Sequence, residues 1–171
     1  MGDMPQHELE SAPLGPHRPR ADERDRARTP MQWAAGSGAG FTAVVPWLPV
    51  EPGADSRNVE SEKADPNSLY HWYASLLKLR RENAALRDGI YVPLISTNPA
   101  VFAFARATAD GRGALVVLNM SEREEHAVIG GWPGAVQRLG KTLLASPKAA
   151  APPSPDLHIA PFGVLIVSYT P

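Results

Sequence analysis

Residues 101–120 read VFAFARATADGRGALVVLNM, and this stretch decides the fold. Runs rich in β-branched and aromatic residues at 101–105 and 114–120 flank Asp110-Gly111-Arg112-Gly113, which is a turn-forming sequence. We therefore predict strands joined by a hairpin loop. Similar runs lie on both sides, at 90–95, at 127–130, near 136–144 and at 162–169. Short strands separated by turns, without helices between them, predict an antiparallel sheet or sandwich.

An amphipathic helix is predicted before these strands. Asp65-Pro66 is a helix-start signal, because Asp can cap the first N–H groups and Pro at the first helical position loses no hydrogen bond. Apolar residues then recur at helical spacing, at Leu69, Trp72, Tyr73, Leu76 and Leu79. The pattern predicts a helix over about residues 66–83.

The segment before this helix has no sustained helix or strand period. Residues 1–30 are polar and are expected to form a loop. Residues 31–64 contain Trp33, Phe41 and Trp47, which a free linker would not carry. This part is therefore expected to pack against another protein surface. The fold class is therefore α+β, mainly β. Its expected parts are an irregular segment at 1–64, a helix at 65–84 and an antiparallel β domain at 85–171.

Composition excludes several classes of partner. The 17 basic and 18 acidic side chains give a net charge of −1, so neither nucleic acid nor an anionic membrane is expected to bind. With no cysteine there is no thiolate metal site or disulfide framework. No motif implies a cofactor. The first residues do not resemble a signal peptide and no apolar run could span a membrane, so the expected location is cytoplasmic.

The segment before the predicted helix carries the most specific motifs of the chain. They are RTPMQW at 28–33, GFT at 40–42, PWLPV at 46–50 and NVE at 58–60. Later motifs follow in order, namely DPNSL at 65–69, LLKLRR at 76–81, VFAF at 101–104 and LVVLN at 115–119. In this order they resemble the oligo-1,6-glucosidase-like α-glucosidases of the α-amylase family of glycoside hydrolases. The resemblance implies action on α-glucosidic bonds of oligosaccharides.

The resemblance also implies an architecture. In that family the RTPMQW segment follows the eighth strand of a (β/α)₈ barrel, a helix closes the barrel, and an antiparallel β domain comes next. Arg28 matches an arginine that lines the subsite for the non-reducing glucose, where its planar fork can grip hydroxyls. The alternative for Arg28 is an ion pair with Asp25 or another surface acid. Ala34 departs from the family pattern, which usually has Asp after the tryptophan.

No catalytic residue is identified. Glycoside cleavage needs two carboxyl groups across the scissile bond, and the family carries them on earlier barrel strands that no segment here matches. Two other acid clusters are expected to be solvated and ionised, Asp22, Glu23 and Asp25 in an Arg-rich loop and Glu122, Glu124 and Glu125 in a turn. The chain alone is therefore expected to be inactive.

The remaining candidate binding residues are weaker. The five histidines lack metal-ligand spacing and are interpreted as scattered. Trp132 is the one tryptophan expected on a loop of the β domain, where it is more typical of turn packing than of sugar stacking. Exposed Trp33, Phe41 and Trp47, with one side of the helix, would favour self-association or binding to a separately encoded barrel fragment. The alternative is that the helix folds back on the β domain and the chain is a compact monomer. The alternative function is a stand-alone β-sandwich that binds carbohydrate or protein, which the RTPMQW segment disfavours.

Overall fold

The computed structural model describes residues 23–132, 138–146 and 155–171. The predicted class, α+β and mainly β, is confirmed. The helices are a 3₁₀ helix at Glu23–Ala27, α1 at Val59–Ala64, α2 at Leu69–Glu82 and α3 at Ala84–Asp88. The strands are β1 Ile90–Pro93, β2 Ile95–Ser96, β3 Val101–Ala107, β4 Gly113–Asn119, β5 Glu125–Gly130, β6 Arg138–Ala145, β7 Asp156–Ile159 and β8 Val164–Thr170. The expectation for residues 1–22 lies outside the described residues.

The chain forms two compact units, one ending at Ala74 and one from Ser75 to Pro171. Helix α2 contributes residues to both units. None of the described helices combines the length and apolar character that crossing a membrane requires.

The second unit contains two antiparallel sheets. One has the strand order β1-β3-β4-β8-β6 and the other the order β2-β5-β7. The predicted hairpin is present, with Val101 opposite Asn119 and Ala107 opposite Gly113. The predicted run at 90–95 is divided at Leu94, so that β1 pairs with β3 and β2 pairs with β5 in the other sheet. Strand β7 was not predicted, because its four residues are too few for a clear alternation after a Pro-rich stretch.

A common core joins the two sheets into a sandwich. Alternate residues of β3 from Val101 to Ala107 are buried, as expected for a strand with one face on a core. They share one apolar cluster with Leu115 and Val117 of β4, Ala127 and Ile129 of β5, Leu157 and Ile159 of β7, and Leu165, Val167 and Tyr169 of β8. Because both sheets contribute to this cluster, the sandwich prediction is confirmed.

The opposite face of the larger sheet is covered by helices. Ala114 and Val116 of β4 pack with Ile166 against the partly buried Leu76 and Leu79 of α2 and Leu86 of α3. Strand β4 is therefore buried on both faces, which explains why its sequence is a continuous apolar run.

Helix α2 begins later than predicted and is less buried. Asp65 ends α1 by donating its N–H to the Ser61 carbonyl at 3.2 Å, and its carboxylate accepts the Asn67 N–H at 2.9 Å. Ser68 takes the capping position, since its Oγ accepts the His71 N–H at 3.4 Å. The predicted start at Asp65-Pro66 is wrong because these residues form the turn between two helices.

The apolar stripe of α2 changes character along the helix. Leu69 and Tyr73 are both 62% exposed, whereas Leu76 and Leu79 pack on the sheet. No residue of α2 is fully buried. The stripe is therefore a contact surface for the sandwich only in its second half.

Asn119 at the end of β4 joins the two sheets by hydrogen bonds. Its buried Nδ2 donates to the carbonyls of Arg123 at 2.6 Å, Ile159 at 3.0 Å and Ala160 at 2.9 Å. Its Oδ1 accepts the Ser121 N–H at 2.9 Å. One amide side chain on β4 of the larger sheet thus satisfies backbone groups of β7 in the smaller sheet and of the adjoining loops.

We predict that Asn119→Ala lowers the free energy of unfolding by about 3 kcal/mol, because buried carbonyls lose their donor. Asn119→Asp should be more damaging, since it turns a carboxylate toward those carbonyl oxygens. Urea unfolding followed by circular dichroism measures both. Met120→Ala is the control, since it shortens a neighbouring side chain that is 66% exposed. Equal stability of the Asn119→Ala and Met120→Ala variants would contradict the role of Asn119.

Candidate functional site

The RTPMQW segment is anchored to the start of α1 by its backbone. The Gln32 carbonyl accepts the Val59 N–H at 2.9 Å, and the Trp33 carbonyl accepts the Glu60 N–H at 3.0 Å. Pro30 and Gln32 are buried, whereas Trp33 is 50% exposed. The backbone of the motif is therefore fixed while its tryptophan faces outward.

The glycine-rich sequence 36–40 forms a tight turn behind Trp33. The N–H groups of Trp33 and Ala34 both donate to the Ala39 carbonyl, at 2.8 and 3.2 Å. Gly40 has a φ of +65°, which favours glycine, and a Cβ there would lie 3.1 Å from the Trp33 Cβ, so the space is also tight.

Glu51 holds the motif from the side. Its carboxylate accepts hydrogen bonds from Gln32 Nε2 at 3.1 Å, from the Gly53 N–H at 2.8 Å and from Arg57 Nη2 at 2.6 Å. The Glu51 side chain is only 13% exposed, so its bonds to Gln32 and Gly53 are partly shielded from water, whereas the bond to Arg57 lies at the surface. Charge-assisted bonds of this kind are stronger than neutral ones, and together they connect three parts of the segment.

Arg28 lies directly after the 3₁₀ helix and is exposed. Its backbone N–H donates to the Asp25 carbonyl at 3.0 Å. Among the residues that the structure describes, its guanidinium contacts no acid, so the alternative of an Arg28–Asp25 ion pair is not found there. The five donors of the guanidinium remain available to a ligand.

Asp25 corrects the interpretation of the acidic cluster at 22–25. It is completely buried, whereas a solvated loop was expected. The reason is local, because Glu23–Ala27 form a 3₁₀ helix that directs this one side chain inward. Asp22 lies outside the described residues.

The described carboxyl groups with shifted pKa values do not suit general acid catalysis. Hydrogen bonds from the side chains of Asn98 and Ser121 lower the pKa of Glu125. The hydrogen bond from Thr108, followed by the Arg112 N–H, lowers the pKa of Asp110. A general acid at neutral pH needs the opposite shift. Both groups are therefore ionised structural acceptors.

Exposed apolar side chains are concentrated between Trp33 and Trp47. They include Phe41, Val44 and Val45, of which the two valines are 75% and 76% exposed. The same segment encloses an open cavity of about 510 Å³ lined by Ser37, Gly38, residues 42–46, Pro49 and Val50. The predicted exposure of Trp33, Phe41 and Trp47 is confirmed.

Trp132 packs on its own domain, as the sequence interpretation favoured. Its Nε1 donates to the Ile129 carbonyl at 3.1 Å, and its ring meets Tyr169 edge-on with centroids 6.1 Å apart. Because the ring contacts the core, it offers little free surface for stacking on a sugar.

We predict that Glu51→Ala loosens the RTPMQW segment, because three donors lose their acceptor. Hydrogen exchange at 32–34 and 53–60 should become about 10-fold faster or more, which corresponds to roughly 1.4 kcal/mol of local stability. Glu60→Ala is the matched control, since the Glu60 side chain is exposed. Unchanged exchange in Glu51→Ala would show that backbone bonds alone hold the segment.

Comparison with known proteins gives matches over both units. Residues 8–89 match the family described as α-amylase, catalytic domain. Oligo-1,6-glucosidase from Parageobacillus thermoglucosidasius is 39% identical over 100 residues, which are 58% of this chain and 18% of that protein. Trehalose-6-phosphate hydrolase from Escherichia coli K12 is 34% identical over 140 residues, which are 81% of this chain and 24% of that protein.

A solved structure extends the likeness to three dimensions. Trehalulose synthase MutB from Pseudomonas mesoacidophila MX-45 superimposes with a TM-score of 0.75 at 34% identity, covering 86% of this chain and 26% of that one. The chain spans about a fifth to a quarter of the length of these relatives. By its sequence motifs and by its fold, the chain is similar to the α-glucosidase-like members of the α-amylase family of glycoside hydrolases.

Proposed function

We propose that the chain supplies the end of the catalytic barrel and the following β domain of an α-glucosidase-type glycoside hydrolase. The observation that carries this proposal is the match of residues 8–89 to the catalytic domain, which ends directly before β1 at Ile90. The parts are then the barrel-end segment at 1–64, the last barrel helix at 65–84 and the β domain at 85–171.

The catalytic carboxylates would come from earlier barrel strands, carried either by a longer form of this chain or by a separate one. The exposed apolar residues between Trp33 and Trp47 support this arrangement. A segment with a fixed backbone and several half-exposed aromatic rings is typical of an interface, because large aromatic side chains are usually covered. The partner that we propose for this surface is the rest of a (β/α)₈ barrel.

Arg28 is the proposed substrate-binding residue, through hydrogen bonds to the hydroxyls of the non-reducing glucose. Its exposure, and the lack of an acidic partner among the described residues, support this role. The named relatives act on different sugars, so the proposed substrate class is an oligosaccharide with an α-glucosidic bond. The proposed location is cytoplasmic, and no cofactor is part of the proposal.

We predict that the 171-residue chain alone does not turn over p-nitrophenyl α-glucoside above background, because the carboxyl groups with shifted pKa values among the described residues do not suit general acid catalysis. Turnover by the chain alone that disappears on substitution of a single carboxylate would contradict the proposal. If the chain binds maltose without turning it over, this result would instead favour a stand-alone binding module.

A chimera tests Arg28 in an active context. Residues 24–171 would replace the matching part of the P. thermoglucosidasius oligo-1,6-glucosidase. In an active chimera, Arg28→Gln should lower kcat/KM by about 10- to 100-fold, as expected for hydrogen bonds to a charged group. Arg112→Gln is the control, because Arg112 is an exposed residue of the β3–β4 loop. An unchanged kcat/KM in Arg28→Gln would exclude the substrate-binding role.

We predict that the chain self-associates when no barrel covers its apolar segment. Sedimentation velocity at increasing concentration should show a rising average mass, and Val44→Glu with Val45→Glu should keep the chain monomeric. Met120→Glu is the control, since it places the same charge on an exposed site of the sandwich. If the chain with native Val44 and Val45 stays monomeric at every concentration, this result would contradict the proposed interface.

A further inference from the structure

The outer face of the β5–β7 pair carries the same short pattern twice. Glu124-Glu125-His126 and Asp156-Leu157-His158 both have the form acid-x-His. Ala127, which follows His126, and Leu157, which precedes His158, lie on the inner face. Because side chains alternate across a strand, each acid lies on the same face as its histidine. Ala127 and Leu157 point to the core, so the two histidines face solvent.

Strand register places the histidines side by side. His126 is directly opposite His158 in the antiparallel ladder. The Ile129 N–H donates to the Pro155 carbonyl, and pairs alternate along the ladder, so His126–His158 is a pair without backbone hydrogen bonds between its members. Side chains lie closest in such pairs, and the ring centroids are 4.7 Å apart.

The acids flank this pair on the two diagonals. The Nε2 atom of His126 contacts the Asp156 carboxylate, and Nδ1 of His158 lies 3.9 Å from a Glu124 carboxylate oxygen. One ligand atom from each of His126, Asp156 and His158 lies within 4.8 Å of the others. The interpretation of the histidines as scattered is therefore wrong for His126 and His158.

We propose that His126, His158 and Asp156 form a binding site for a divalent transition-metal ion, with Zn²⁺ as the ion and Glu124 as a fourth ligand. Imidazole nitrogen with carboxylate oxygen is the donor set that Zn²⁺ takes, whereas Ca²⁺ and Mg²⁺ prefer oxygen alone. Two carboxylates also balance the charge of the ion. This site is independent of Arg28 and of the proposed glycosidase function.

The geometry needs a rearrangement of the side chains. In a tetrahedral site, ligand atoms about 2.1 Å from the ion lie about 3.4 Å apart, so a separation of up to 4.8 Å must close by about 1.4 Å. The four side chains are 52% to 70% exposed, so a rearrangement would take place at the surface and not in the packed core. The same exposure gives the ion a direct path from solvent.

Binding would connect β7 to β5. Strand β7 has four residues and lies at the edge of the smaller sheet, where β5 is its only neighbouring strand among those described. An ion held by both strands stabilises the paired state, because the unfolded chain does not present a preformed site. The bound ion would therefore stabilise the pairing of β7 with β5 at this edge of the sheet.

The test is a titration of the full, untagged, chelator-treated chain with ZnCl₂ in competition with a colorimetric indicator, and separately with CoCl₂. We expect one ion per chain and the intense visible absorption of four-coordinate Co²⁺. His126→Gln and His158→Gln should each weaken binding about 100-fold and Asp156→Asn about 10-fold. His71→Gln on α2 is the matched control and should leave the affinity unchanged.

A second measurement uses the unmodified chain, so that it does not depend on how the variants fold. Zinc should shift the imidazole proton resonances of His126 and His158 and leave those of the other three histidines in place. No binding at micromolar ZnCl₂, unaltered affinity in the double variant His126→Gln/His158→Gln, or shifts at other histidines would each overturn the proposal.

Discussion

Burial of both faces of β4 is the constraint on which the β unit depends. Leu115 and Val117 enter the core between the sheets, whereas Ala114 and Val116 face the helices. A strand with two apolar faces is stable only when both are covered, since exposure of either would cost about 25 cal/mol for each Å² of apolar surface. The sandwich therefore needs the second half of α2 and α3 as much as it needs the smaller sheet.

The described part of the first segment, residues 23–64, is organised differently. Hydrogen bonds of Glu51, Gln32 and the buried Asn58, which caps α1, accompany a few buried apolar residues such as Leu48. Other large apolar side chains, such as Trp33 and Val44, are exposed. This exposed apolar surface on a hydrogen-bonded backbone is the physical basis for proposing that the rest of a catalytic barrel covers the segment.

The two proposed binding sites differ in the structure that creates them. Arg28 is positioned by a short 3₁₀ helix and the backbone of one motif, so its placement is local in sequence. The His126–His158 pair depends on the pairing of two strands, because the two histidines are 32 positions apart in the chain. A shift of β7 by one residue relative to β5 would turn His158 toward the core and abolish the site.

The sequence by itself determined the features that depend on neighbouring residues. Alternating apolar residues with turn signals predicted the β3–β4 hairpin, helical spacing predicted α2, and the RTPMQW motif indicated the family. The Asn58-x-x-Ser61 capping box of α1 was also a readable signal, although it was not recognised. Tertiary structure alone decided the division of the 90–95 run between two sheets, the half-exposed face of α2 and the meeting of His126 with His158. These features depend on contacts between distant segments, and periodicity within one segment carries no information about its partner or its register.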